Sequence, residues 1–61
     1  MTRAEAFNKA ARLANKHPDA IIVVCEVEEE FGTSWDAARE DLAAEWEDQG
    51  YVRQWIEWSA A

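Results

Sequence analysis

The amino-acid sequence reads as a mostly α-helical domain: a compact small bundle of about three helices, over residues 2–16, 18–31 and 34–49, followed by a short C-terminal element. Three observations carry that reading. Long stretches space their apolar residues at intervals of three and four, as one face of a helix requires. Each stretch opens on a capping residue or a proline. The only two glycines, Gly32 and Gly50, both fall where a helix would stop. The alternative is an α+β chain in which residues 20–27 form a strand. With 61 residues, 49% of them apolar, the chain has material for a single small domain over 1–61.

The first helix has the clearest start. Thr2-Arg3-Ala4-Glu5 matches the capping box, in which hydroxyl and carboxylate each take an orphan backbone N–H. Phe7, Ala10, Ala11, Leu13 and Ala14 then supply an apolar stripe, and Lys16 suits the negative end of the helix dipole. Pro18 interrupts the chain, restricting His17 to extended geometry and suiting the first position of a new helix.

The segment from Ala20 to Phe31 supports two readings. Ile21, Ile22, Val23, Val24 and Val27 are β-branched and favour a strand. Ala20, Val24, Val27 and Phe31 recur at four, three and four, a helical stripe that Pro18 opens and Gly32 closes. Three consecutive glutamates are poor strand residues, and helix is the preferred reading. Thr33 or Ser34 would cap the next helix, whose stripe is Trp35, Ala38, Leu42 and Trp46. After a left-handed cap at Gly50, Val52, Trp55 and Ile56 fit a short helix or turn, and Ser59 to Ala61 reads as a tail. Trp35 and Trp46 are expected in the core, with either Trp55 or Trp58 partly exposed.

The formal net charge is −7 and is unevenly spread. Residues 1–18 hold four basic residues against Glu5, residues 19–50 hold eleven acids against Arg39, and residues 51–61 hold Arg53 against Glu57. The density peaks from Glu26 to Asp48, where ten of 23 residues are acidic. Such a chain repels nucleic-acid phosphate and anionic membrane and attracts basic protein surfaces. At ~100° per residue, Asp36, Glu40 and Glu47 fall in one band of the third helix, and Asp41, Glu45 and Asp48 in a second. Glu47 and Asp48 sit at the dipole's negative end, where helix stability alone would not place them.

Catalytic and cofactor chemistry find little support. His17 and Cys25 are the only histidine and cysteine, too few for a zinc site or an internal disulfide. Glu28-Glu29-Glu30 lacks the spacing of a calcium loop. No glycine-rich loop could cradle a phosphate. The apolar run from Ala20 to Cys25 is far too short to span a bilayer, and Glu5, Asn8 and Lys9 interrupt any apolar core at the N-terminus, so a signal peptide is not expected. The expectation is a non-enzymatic protein without metal or cofactor, monomeric and cytoplasmic. The order helix, helix, Gly32-Thr33-Ser34, helix, Gly50-Tyr51-Val52-Arg53 is similar to a winged helix-turn-helix. Its recognition-helix position nevertheless carries acids where base-reading Lys, Arg, Asn or Gln belong, so direct nucleic-acid binding is not expected.

In size, acidity and lack of a catalytic set, the chain resembles the small phage-encoded anti-CRISPR proteins, type I and within them type I-C. The residues that carry the resemblance are Glu26, Glu28 to Glu30, Asp36, Glu40, Asp41, Glu45, Glu47 and Asp48. It implies a stoichiometric inhibitor in the bacterial host cell that mimics nucleic acid and blocks a DNA-binding site on a CRISPR effector complex. Glu28, Glu29, Glu30, Asp36, Glu40, Asp41, Glu45, Glu47 and Asp48 would then bind the partner, a basic nucleic-acid-binding surface of an effector subunit. Other readings are a DNA mimic aimed at another host DNA-binding enzyme, and an acidic interaction module or antitoxin.

Overall fold

The computed structural model describes residues 1–59. Helix α1 (Arg3–Lys16) is followed by strands β1 (Ile22–Glu29) and β2 (Gly32–Arg39), helix α2 (Glu40–Asp48) and strand β3 (Val52–Glu57). The strands form one antiparallel sheet in the order β2-β1-β3. The expected three-helix bundle is therefore corrected to an α+β fold, and the domain is not predominantly helical. Helix 18–31 is strand β1 and its turn. Helix 34–49 is divided into β2 and a shorter α2. The C-terminal turn is β3. The expected tail lies, beyond Ser59, outside the described residues.

The central strand explains the outcome. Ile22, Val23, Val24 and Cys25 are all buried, although consecutive residues of a strand point to opposite faces. Both faces are covered. Ile22 and Val24 pack with Ala6 and Ala10 of α1 and with Ala37. Val23 and Cys25 pack with Ala43 of α2, bordered by Val27, Trp46 and Val52. A strand covered on both faces reads as an unbroken apolar run without a period of two. The stripe Ala20, Val24, Val27, Phe31 was thus a coincidence of spacing: Val24 faces α1, Val27 faces α2, and Phe31 is 95% exposed in the turn.

The β1–β2 connection is the pair Glu30-Phe31, with Glu29 opposite Gly32. Gly32 has φ +138, a backbone position open to glycine at no steric cost. It closes a hairpin where the sequence reading placed a helix end. Ala37 and Ala38 are buried on opposite faces of β2, and their small side chains let the helices come close to the sheet. Trp35 faces α1, where the Arg3 guanidinium lies 5.6 Å from its ring centroid, while Trp46 faces the other way. Their helical spacing therefore joins two layers.

Helix α1 begins as its sequence indicates. The Glu5 N–H donates to Thr2 Oγ1 at 3.2 Å and the Thr2 N–H donates to Glu5 Oε1 at 2.9 Å. The bond from the Thr2 N–H, with the Thr2 hydroxyl adding to it, holds the Glu5 carboxyl below its usual value. Helix α2 has no such start: Arg39 stands at its N-cap with no side-chain bond, in place of the expected Thr33 or Ser34. Its end does match, with Gly50 at φ +82 and its N–H donating to the Glu47 carbonyl.

Candidate acidic interface

Because α1 and α2 lie on opposite faces of the sheet, the charge asymmetry along the sequence becomes an asymmetry across the molecule. Arg3, Lys9, Arg12 and Lys16 belong to α1. Glu40, Asp41, Glu45, Glu47 and Asp48 belong to α2, which contains no basic residue. The helix is anchored through Ala43, fully buried, and through Trp46 against Val23, Cys25 and Val27. That anchoring turns all five carboxylates to solvent. The nine residues make about two and a half turns, and acids at i, i+4 and i, i+3 lie ~5–6 Å apart. Asp41, Glu45 and Asp48 form one such row, and Glu40 and Glu47 fall beside it. Arg39 Nη2 approaches Asp41 Oδ2 at 3.4 Å, an exposed pair of little energetic weight.

The other expected site residues are dispersed. Asp36 lies in β2, not on the acidic helix. Its Oδ1 accepts from Lys9 Nζ at 2.7 Å and from the Ala37 N–H at 2.8 Å, both partly buried. Asp36 therefore ties α1 to the sheet. Glu28 and Glu29 alternate across β1. Glu28 pairs with Arg53 at 3.4 Å, whereas Glu29 lines a cleft on the α2 side. Glu30 is in the hairpin turn beside Phe31.

The cleft at the C-terminal end of α2 has a volume of about 240 Å³ and is bordered by Val27, Trp46 and Tyr51 with Glu29, Ser34 and Asp36. Beneath it, burial pushes the Cys25 thiol up to about 11, with the carboxylates of Asp36 and Glu47 adding to the shift. A fully buried thiol held in its neutral form is poorly suited to nucleophilic chemistry. No group of three or more His, Cys, Asp or Glu among the described residues could hold a metal ion. Among them, too, no helix is long and apolar enough to cross a membrane.

The sequence reading missed Phe31. Placed in a core stripe, it stands almost fully exposed at the hairpin tip beside Glu30. The signal was faint: the β-branched run over 21–24 points to a strand ending in Glu-Phe-Gly, but Ser34, Asp36, Ala37 and Ala38 after it are poor strand formers and hide the second arm of the hairpin. Tyr51 and Trp55 are also exposed, at 50% and 40%. Comparison with protein-family models, curated proteins and solved structures finds no match for the chain.

Proposed function

We propose that the chain is a stoichiometric inhibitor whose acidic face occupies a basic, nucleic-acid-binding groove on another protein. The observation that carries this reading is the layout of α2: five solvent-facing carboxylates, no basic residue within the helix, and the cationic helix α1 on the opposite face of the sheet. Acids spaced ~5–6 Å apart along a helix approximate the spacing of phosphates along a nucleic-acid strand. A groove lined with Lys and Arg would exchange one set of anions for the other. The sequence resemblance supplies the target class, a type I CRISPR surveillance complex, type I-C within it.

The test is displacement. The protein is titrated into a type I surveillance complex loaded with labelled target DNA, and in parallel into a restriction enzyme and an RNA polymerase. Release of DNA from one of them, lost when Glu45, Glu47 and Asp48 are together replaced by Lys, is the expected result. Equal potency of parent and reversed variant in low salt would sink the reading. The second reading, an acidic protein-interaction module, is favoured by Phe31, since an exposed aromatic at a hairpin tip is suited to anchoring an interface. A Phe31→Ala protein that keeps its fold and its DNA displacement but no longer binds its partner through an apolar contact would support that module.

A further inference from the structure

The two edges of the sheet are finished differently. On β2 the two central outward-facing amides have partners: the Trp35 N–H donates to the Met1 carbonyl at 3.1 Å, and the Ala37 N–H to the Asp36 carboxylate at 2.8 Å. Helix α1 also packs along this strand. On β3 the pattern is open. The Trp58 N–H donates to the Ile22 carbonyl, and Ile56 lies opposite Val24, so the alternate residues Trp55 and Glu57 turn their N–H and C=O groups away from β1. Among the described residues, nothing takes those groups. Exposed strand edges are templates for another strand unless charge, a bulge, proline or a covering element blunts them. On β3 the register shift and Arg53 lie at the N-terminal end, which leaves the segment from Trp55 to Glu57 as the place where a strand could pair.

We propose that β3 receives an extended basic segment of a partner protein, which adds a fourth strand to the sheet at Trp55 and Glu57. Charge complementarity identifies the occupant. The side chains of Trp55 and Glu57 lie on the α2 side of β3 and, with Glu40 and Val23, border a cleft of about 200 Å³. The cleft offers two carboxylates and the exposed ring of Trp55 to a Lys or Arg side chain of the incoming strand, combining ion pairing with a cation–π contact. A second copy of this chain fits less well. Pairing β3 with itself about Trp55 would need Arg53 opposite the other copy's Glu57. The register shift at this point leaves Arg53 unpaired in the ladder, and its side chain lies on Glu28 at 3.4 Å. Without that cation, two chains of net charge −7 would meet with like-charged edges. The surface shares Glu40 with the acidic face, but its strand pairing is to the main chain of Trp55 and Glu57, and it stands or falls independently of DNA displacement.

A capped peptide alternating Lys and Val serves as probe, with an otherwise identical peptide N-methylated at every second amide as its control. The expected result is slowed hydrogen exchange at the Trp55 and Glu57 amides with the first peptide. The N-methylated peptide should bind about tenfold more weakly, the equivalent of roughly two lost hydrogen bonds. Glu57→Pro, which a strand edge tolerates where the N–H faces solvent, should abolish the protection while circular dichroism remains unchanged. Glu57→Gln should retain protection with reduced affinity. Equal binding of both peptides, or exchange effects confined to α2, would overturn the proposal. So would protection of Trp55 and Glu57 that grows with protein concentration in the absence of peptide, which would assign the edge to a second copy.

Discussion

At the scale of single residues, the centre of the domain is made of β1 and of alanines. Ala6, Ala10, Ala37, Ala38 and Ala43 are buried beside Ile22, Val23, Val24 and Cys25, whereas none of the four tryptophans is fully buried. Large rings are seldom wholly enclosed. Here, a three-stranded sheet with one helix per face leaves them at its margins. The composition advertised the aromatics, and the expectation of a tryptophan core followed from it. What the composition could not show is that alanines on both helices sit at the centre of each cover of β1, with the rings of Phe7, Trp35, Trp46 and Trp58 packed around them. Cys25 tests this interior. Its thiol is pushed from an ordinary 9.0 to about 11, so the folded state favours the protonated form. The resulting contribution to stability is complete below pH 9.0 and disappears as pH rises through about 11. Denaturant midpoints should therefore fall across that interval, and a Cys25→Ala protein, weaker throughout because of its cavity, should show a shallower fall. An equal slope for both proteins would show that another group carries the alkaline loss. Iodoacetamide should label Cys25 only as the domain opens.

At the scale of elements, α2 is where stability and charge presentation oppose each other. It has no side-chain cap at Arg39, no basic residue in its last turn, and Glu47 and Asp48 at the negative end of its dipole. Asp48→Lys should relieve that repulsion and raise stability by about 0.3–1 kcal/mol at low ionic strength. The gain should shrink with added salt. Under the proposed function, the same change should weaken DNA displacement. A variant both more stable and equally potent would remove Asp48 from the interface. The helical conformation of residues 40–48 was legible from a local alternation of apolar residues and acids, but its buried face was only partly so: Leu42, expected in the apolar stripe with Trp46, is 40% exposed, and Ala43 is buried instead. The preceding strand was not legible, because Trp35 and Ala38 continue the helical spacing into a segment whose conformation is set by pairing with β1. The capping box at Thr2 and the stop at Gly50 were legible for the opposite reason, since each satisfies backbone groups within a few residues. β1 was ambiguous because its cover on both faces comes from helices far away in sequence. The acids followed suit: Asp41, Glu45 and Asp48 share a face of α2, whereas the band expected of Asp36, Glu40 and Glu47 loses Asp36 to Lys9, and Glu28 pairs with Arg53, both through strand geometry.

At the scale of the whole molecule, the sheet acts as a partition between a cationic helix and an anionic one, and that separation should determine how the protein approaches a basic surface. Net charge alone would attract it in any orientation; a polar molecule arrives with α2 leading. The two effects can be separated by a charge swap. Arg12 and Lys16 are exposed on α1, and Glu45 and Asp48 are exposed on α2. Replacing the first pair with Glu and the second with Lys leaves the net charge at −7, because the four reversals cancel. If polarity governs, the swapped protein should associate with an immobilised polylysine surface about tenfold more slowly at low ionic strength, within the range that electrostatic steering spans. Replacing Arg12 and Lys16 alone should leave the rate unchanged or raise it, and salt should erase the differences among all three proteins. Circular dichroism must first show that the swap preserves the helices, since Lys16 sits favourably at the end of α1. Equal association of parent and swapped protein would mean that total charge, and not its division across the sheet, drives the encounter. The opposition of α1 and α2 would then be a consequence of covering β1 on both sides, with no part in recognition.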